Sequence, residues 1–327
     1  MEETRDKMEI YRVGEVIREE RIRRKMSQEE LSYGICAPVT LSRIENNTQK
    51  PSLKVEEALL ERLGCSTENL VCYAGAKEVR KHQLETEIGF LAMNRKPFAD
   101  KLQEYRRLIT EEGAGSRLEM QFAWMMEAVC GLYSGTWEYE KVYKQLEMAL
   151  ALSIPAFLEE GLEKAKLLTH TEIMIINNMA IVLHKQKKTL QATEMFTFLI
   201  AYMEKGYMSV EAKCKRYPLL LLNKAKIMKE VENYEEVLSL CEKGIHFCTQ
   251  YSRLAGLPDL YYFYAVALER FGRVEEAADS YGCAANLYYI TDSMELAEQS
   301  RKKQGELIKC SNTESPAQYP LMHPLPK

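Results

Sequence analysis

Within the stretch LSYGICAPVTLSRIENN (Leu31–Asn47), an arginine fork, two hydroxyls and a small apolar side chain fall in five consecutive positions around one leucine. Val39, Thr40, Ser42 and Arg43 interleave with Leu41 and Ile44, so a helix that buries Leu41 and Ile44 turns the other four outward. Groups of this kind recognise rather than react. Arg43 can bind guanine as a bidentate donor, Thr40 can hydrogen-bond a base edge, and Val39 can pack on a thymine methyl.

Reactive chemistry is not signalled elsewhere. There is no Walker motif, dinucleotide fingerprint, GxSxG or HExxH. The nine cysteines are an odd, scattered set without a CxxC, and no histidine pair has metal-ligand spacing. Reduced thiols, no metal, no cofactor and no enzyme activity are the expectation. The charged start MEETRDKMEIYR lacks an apolar secretory core, and the longest apolar run, YPLLLLN, is too short to span a bilayer. A cytoplasmic protein without a membrane partner is therefore expected. A net charge of −4 announces no nucleic-acid binder by itself.

The recognition set needs elements to hold it. Val13, Val16, Ile17 and Ile22 have helical spacing and give helix 1 one apolar face. Ser27 with Glu30 forms a capping box that starts helix 2, with Leu31 facing inward. After the joint Gly34-Ile35-Cys36-Ala37, Pro38 suits the first turn of helix 3, where its missing N–H costs nothing. Pro51-Ser52 opens helix 4, and Ser66-Thr67 opens a last short helix. Helix 2, tight turn and helix 3 form a helix-turn-helix, whose second helix enters the major groove, with Ser27 and Gln28 placed to meet a phosphate. Arg18, Arg21, Arg23, Arg24 and Lys25 cluster beside helix 2, yet acidic residues slightly outnumber basic ones over residues 1–72. A plain helical bundle with a solvated polar face would show the same charge. Motif order, not charge, carries the reading.

SQEELS, LSRIENN and PS in that order, with Arg21 seven residues before Gln28, resemble the lambda-repressor-like, XRE-type helix-turn-helix domain over residues 11–73. The resemblance implies that Arg21 pairs with Glu45. It also implies a DNA-facing set of Ser27, Gln28, Pro38, Val39, Thr40, Ser42, Arg43 and Asn46. The turn is one residue shorter than the commonest family pattern.

From Ala74 onward the chain reads as helix after helix with a weak repeat. YYFYAVALERFGRVEEAADSYGCAANLYY matches the tetratricopeptide pattern, with Tyr261, Tyr264, Ala265 and Leu268 on one helix, Gly272 at the turn, and Val274, Ala277, Tyr281 and Ala284 on the next. LLLNKAKIMKEVENYEEVLSLCEKGIHF and IINNMAIVLHKQKKTLQATEMFTFLI repeat the scheme, and two earlier units are more degenerate. The expected fold is all-α: a helix-turn-helix domain (1–73), then about five tetratricopeptide-like repeats forming a right-handed α-solenoid with a capping helix (74–310), then a disordered tail (311–327). Equivalent positions Tyr139, Thr189, Tyr234 and Val274 lie farther apart than the roughly 34 residues of the standard repeat, so an irregular superhelix is expected.

The inner surface of such a stack binds extended peptides or proteins. Asn178 and Asn223 fall at the same repeat position, where an asparagine can donate to and accept from a peptide backbone. Lys185, Lys226, Lys229 and Arg270 are placed to meet a carboxylate, and Met174, Ile181, Leu222 and Phe263 to supply apolar pockets; each could equally be a solvated or packing residue.

The shortened turn in LSYGICAPVTLSRIE and the asparagines in NNMA and LLNKAK make the whole chain resemble the peptide-responsive regulators of the PlcR type. That resemblance implies a cytoplasmic transcription factor of Gram-positive bacteria, a homodimer through the repeat domain, a short re-imported signalling peptide as ligand, and a pseudo-palindromic operator. The other reading is a helix-turn-helix repressor whose repeat domain docks a protein partner.

Overall fold

The computed structural model describes residues 13–65, 76–111, 116–155, 157, 167–205 and 208–314. The short helix expected at Ser66-Thr67 and most of the tail lie outside them. Among the described residues there are helices and no strands. The first four are α1 (Val13–Arg23), α2 (Gln28–Ser32), α3 (Pro38–Glu45) and α4 (Leu53–Arg62). Then follow α5 (Ala76–Met93), α6 (Ala99–Glu111), α7 (Arg117–Tyr133), α8 (Tyr139–Ala151), α9 (His170–Lys185) and α10 (Thr189–Glu204). The last five are α11 (Val210–Glu230), α12 (Tyr234–Gln250), α13 (Leu257–Arg270), α14 (Val274–Ile290) and α15 (Met294–Glu314). None of the helices among the described residues is long and apolar enough to cross a membrane.

The chain forms two compact units, residues 1–213 and 214–327. The helix-turn-helix domain shares the first with α5–α10. Its core, Ile17, Leu31, Leu41, Ile44, Leu59, Leu60 and Leu63, includes Leu118 from α7. Each such side chain stabilises by about 1.5–3 kcal/mol when fully removed from water. Ile22 departs from the expected apolar face of α1: it is 56% exposed. It sits five residues after Ile17, about 500° around the helix and so off the buried stripe.

Helix α4 joins this domain to the repeats through one polar face. Lys54 Nζ lies 2.5 Å from Glu85 Oε2, and the Tyr105 hydroxyl donates to Glu85 Oε1 at 2.5 Å. His82 Nδ1 lies 3.2 Å from Glu57. Glu57, His82 and Glu85 stand within 4.8 Å of one another, but both Glu85 oxygens are already engaged, which makes the group an ion network. One turn on, Glu61 accepts the His170 backbone N–H at 2.8 Å, and Arg62 NH2 lies 3.3 Å from the fully buried Glu172. Glu172 also closes the capping box of α9, accepting the Thr169 N–H at 2.6 Å. One carboxylate thus starts a repeat helix and fastens the DNA-binding domain. Beside it, Gly34 adopts φ +71°, and a Cβ there would collide with the Ser153 carbonyl.

The repeat helices pack as consecutive antiparallel pairs because small residues face their neighbours. Ala180 and Ala192 in the first unit, and Ala225, Ala265, Ala277 and Ala284 in the second, are fully buried. Helix α15 packs on α14 and continues to Glu314, four residues into the stretch assigned to the tail.

The seam carries a pH dependence. Burial pushes the Glu61 carboxyl up to about 7, aided by Glu57 and Glu172 and opposed by the His170 amide and Lys54. The hydrogen bond to Glu57 raises His82, against its burial. Both groups hold a proton more tightly folded than unfolded, so their contribution is present at low pH and lost as pH rises. For Glu61 that loss runs from its ordinary value of 4.5 through about 7. Melting temperatures taken from pH 5.5 to 8 should fall with rising pH, and Glu61→Gln should flatten the slope.

Candidate functional site

Ser27 and Gln28 start α2, and the other DNA-facing candidates sit on α3 or at its C-cap, Asn46; Ala37 caps α3 in extended conformation and Pro38 begins it. Leu41 and Ile44 are buried, whereas Val39 is 57% exposed and Arg43 is exposed, with Thr40 and Ser42 half-buried between them. Asn47, at φ +56°, terminates the helix and donates to Glu15 Oε1 at 3.0 Å. A second close approach holds α3 against α1, since a Cβ on Gly14 would collide with the Ile44 carbonyl.

Glu45 anchors this helix from inside. Its carboxylate is nearly buried and accepts from Arg21 Nε at 2.6 Å, from Arg21 NH2 at 2.9 Å and from Gln28 Nε2 at 2.7 Å. Arg21 also donates to the Met26 carbonyl at 2.8 Å. Burial alone would raise the Glu45 carboxyl, but the hydrogen bonds from Arg21 and Gln28 outweigh it and hold the group below the usual carboxylate range. The Arg21 guanidinium is raised in turn, chiefly by its hydrogen bond to Glu45.

Gln28, expected at a phosphate, spends its amide on Glu45. Ser27 accepts from the Glu30 N–H at 3.0 Å in the capping box, and Asn46 donates to the Ser42 carbonyl at 2.9 Å. Of the DNA-facing set, Val39, Thr40, Ser42 and Arg43 form one continuous outward face. Sequence reasoning missed Arg62, which donates to the Leu31 carbonyl at 3.3 Å and to the Tyr33 carbonyl, fixing the end of α2 and the turn before α3. No local pattern marks it, because its partners lie twenty-nine or more positions away.

The ligand candidates divide between the units. In the first, Asn178 is buried and donates to the Met174 carbonyl at 2.9 Å, while Lys185 is exposed. A groove of ≈ 1130 Å³ between α6 and α7, lined by Arg106, Arg107, Glu127 and Trp137 among others, contains none of the candidates. In the second unit, Lys226 and Lys229 lie 5.8 and 5.6 Å from the centroid of the Phe263 ring. Asn223 is half-buried one turn before Lys226, and Arg270 stacks on Tyr234 at 5.3 Å. Leu222 is 3% exposed and belongs to the core, not to a ligand pocket.

A helix-turn-helix with Val39 and Arg43 exposed on the outer side of α3, carried on helical repeat pairs, defines a DNA-binding regulator with a helical repeat domain. Residues 17–70 match the helix-turn-helix family and residues 132–300 match the RNPP family C-terminal domain. The chain belongs to the RNPP family, a family of transcription regulators rather than enzymes. No curated protein matches it in sequence. Among solved structures, it is similar to Bacillus thuringiensis PlcR in complex with the peptide PapR7 and DNA. That match has 20% identity and a TM-score of 0.55, and covers 88% of this chain and 98% of that one. Apo PlcR matches at 19% identity and a TM-score of 0.54, over 89% and 98%. ComR from S. thermophilus, in complex with DNA and its signalling peptide ComS, matches at 17% identity and a TM-score of 0.45, over 90% and 99%.

Removing Arg21 strands a buried carboxylate, a change that costs about 3–5 kcal/mol in comparable pairs. Arg21→Ala should lower the urea midpoint accordingly. Because Glu45 is depressed below its ordinary 4.5, its contribution is present above that pH and lost as pH falls further, and the variant should lack that acid step in denaturation curves. Arg43→Ala should leave the melting temperature unchanged while abolishing selection of a preferred duplex from a random pool. Selection by Arg43→Ala equal to the parent's would refute the assignment of α3 to the major groove.

Proposed function

We propose that this protein is a cytoplasmic transcription regulator that binds a pseudo-palindromic operator as a homodimer and responds to a short signalling peptide held by its repeat domain. The observation that carries the reading is the outward face Val39-Thr40-Ser42-Arg43 on a helix locked from behind by Arg21, Gln28 and Glu45. A second support is the match to the RNPP C-terminal domain, and PlcR, which shares the fold, is solved with both a peptide and DNA. Arg43 and Thr40 are assigned to base edges, with Ser27, Pro38, Ser42 and Asn46 at the backbone and groove wall. Asn178 and Asn223 are assigned to the peptide backbone, with Lys185, Lys226, Lys229, Phe263 and Arg270 to its side chains or terminus. Peptide binding would favour one arrangement of the repeats and so shift the spacing of two DNA-binding domains.

Native mass spectrometry of the protein purified from dense culture tests this directly. A dimer carrying the extra mass of five to ten residues is expected, and the ligand can then be sequenced. A ligand-free species at every culture density, retained instead by a protein partner, would replace the peptide sensor with a partner-controlled repressor. With the ligand known, Asn223→Ala should weaken the effector response of operator binding without changing basal binding.

A further inference from the structure

We propose that the seam between α4 and the first repeats is a proton-operated latch: protonated His82 and Glu61 close it, and loss of their protons releases the DNA-binding domain with its own fold intact. Charge balance across the seam carries the argument. Lys54 Nζ lies 2.5 Å from Glu85, Arg62 NH2 3.3 Å from Glu172 and Lys81 Nζ 2.7 Å from Glu119. Three cations of α4 and α5 thus face three carboxylates of α5, α7 and α9. Helix α4 brings two more carboxylates, Glu57 facing His82 and Glu61 facing the His170 backbone N–H. His82 balances Glu57 only as an imidazolium, and Lys54, the cation nearest Glu61 in sequence on α4, is committed to Glu85. With both protons gone, these five carboxylates face three cations across an interface partly removed from water, where uncompensated charge is costly. Glu78 of α5 adds a carboxylate at the start of α4, where it accepts the Leu53 N–H at 3.4 Å and the helix dipole receives it. The Tyr105 hydroxyl of α6 completes the set by donating to Glu85.

Both groups titrate in the matching direction. Burial lifts the Glu61 carboxyl to about 7, and the hydrogen bond to Glu57 raises His82. A proton held more tightly docked than free makes docking strongest at low pH. The share of Glu61 is complete below its ordinary 4.5, falls about tenfold per pH unit up to about 7, and then levels off. His82 adds to the fall above its ordinary 6.5. Opening the seam need not melt the domain, because its core is its own apart from Leu118. Arg62 loses Glu172 on opening but keeps the Leu31 and Tyr33 carbonyls, which belong to the same domain. The turn before α3 therefore stays fixed, and what changes is where the domain can reach. This device does not depend on which ligand the repeats hold.

Hydrogen exchange of the full-length protein, resolved to single amides and corrected for the intrinsic effect of pH, tests the latch between pH 5 and 8. The reporter is the His170 N–H, which Glu61 holds across the seam. Its protection should fall about tenfold per pH unit from pH 5 to 7, and it should exchange faster than amides inside α3 and α14 at every pH. A purely local hydrogen bond predicts the opposite slope, since an ionised carboxylate accepts more strongly than a protonated one. Glu61→Gln should leave only the shallower fall that belongs to His82, and Glu61→Gln/His82→Gln should make the reporter independent of pH. Protection that is flat or rises with pH in the parent overturns the latch. So does exchange of His170 at the rate of the α3 amides, which would mean that the seam opens only by unfolding, and so does a parent-like slope in the double variant. Should the double variant fail to fold, the slope of the parent and its comparison with α3 still decide.

Discussion

A carboxylate in an awkward place organises the DNA-binding domain. Glu45 lies in the last turn of α3, where the helix dipole is negative, and it is almost removed from water. Either circumstance alone disfavours a charged carboxylate. Bidentate donation from Arg21 and a third hydrogen bond from Gln28 offset both, and in doing so they tie the end of α3 to α1 and to the start of α2. With that end pinned and Pro38 setting the other, the helix has little freedom to rotate. The direction in which Val39, Thr40, Ser42 and Arg43 point follows from this cross-tie. The hydrophobic core below, through the buried Leu41 and Ile44, sets the same rotation.

A different kind of contact decides how that domain sits on its first repeats. Leu118 extends the apolar core into α7, but the rest of the α4 face is polar: Lys54, Glu57, Glu61 and Arg62 each meet a partner from α5 or α9. Buried polar contacts are strong when complete and costly when broken, so such a seam is close to all-or-none. It is also sensitive to protons, because Glu61 and His82 both hold theirs more tightly when docked. Glu172 links the seam to the repeat stack, since the same side chain caps α9 and meets Arg62. A change in the first turn of α9 would be felt at once by the DNA-binding domain.

In the second unit the last three lysines of α11 face two ways. Lys224 is neutralised by Glu236 within the fold, while Lys226 and Lys229 gather around Phe263. Helical periodicity separates them: Lys224 lies about 200° around the axis from Lys226. Leu222, which sequence reading placed on the ligand side, lies only about 40° around the axis from Lys226, yet the structure buries it.

Much of the architecture is legible in the sequence. The capping box at Ser27 and Glu30, Pro38 at the first turn of α3, the inward Leu41 and Ile44, and the small residues Ala265, Ala277 and Ala284 between repeat helices are all local signals. Each acts within a few residues or one helical turn, and so leaves its mark in residue type and spacing. Ile22 misled because period matching counts an apolar residue without asking whether a neighbour covers it. Only the tertiary structure decided that Gln28 serves Glu45, that Gly34 makes room for Ser153, and that Arg62 bridges the turn carbonyls to Glu172. Those contacts join residues from 17 to about 120 positions apart. Their partners are ordinary charged or small residues, and nothing in a linear pattern says which of many will meet. Sequence determines where helices begin, end and bury a face; which polar groups find each other across those faces is settled by packing.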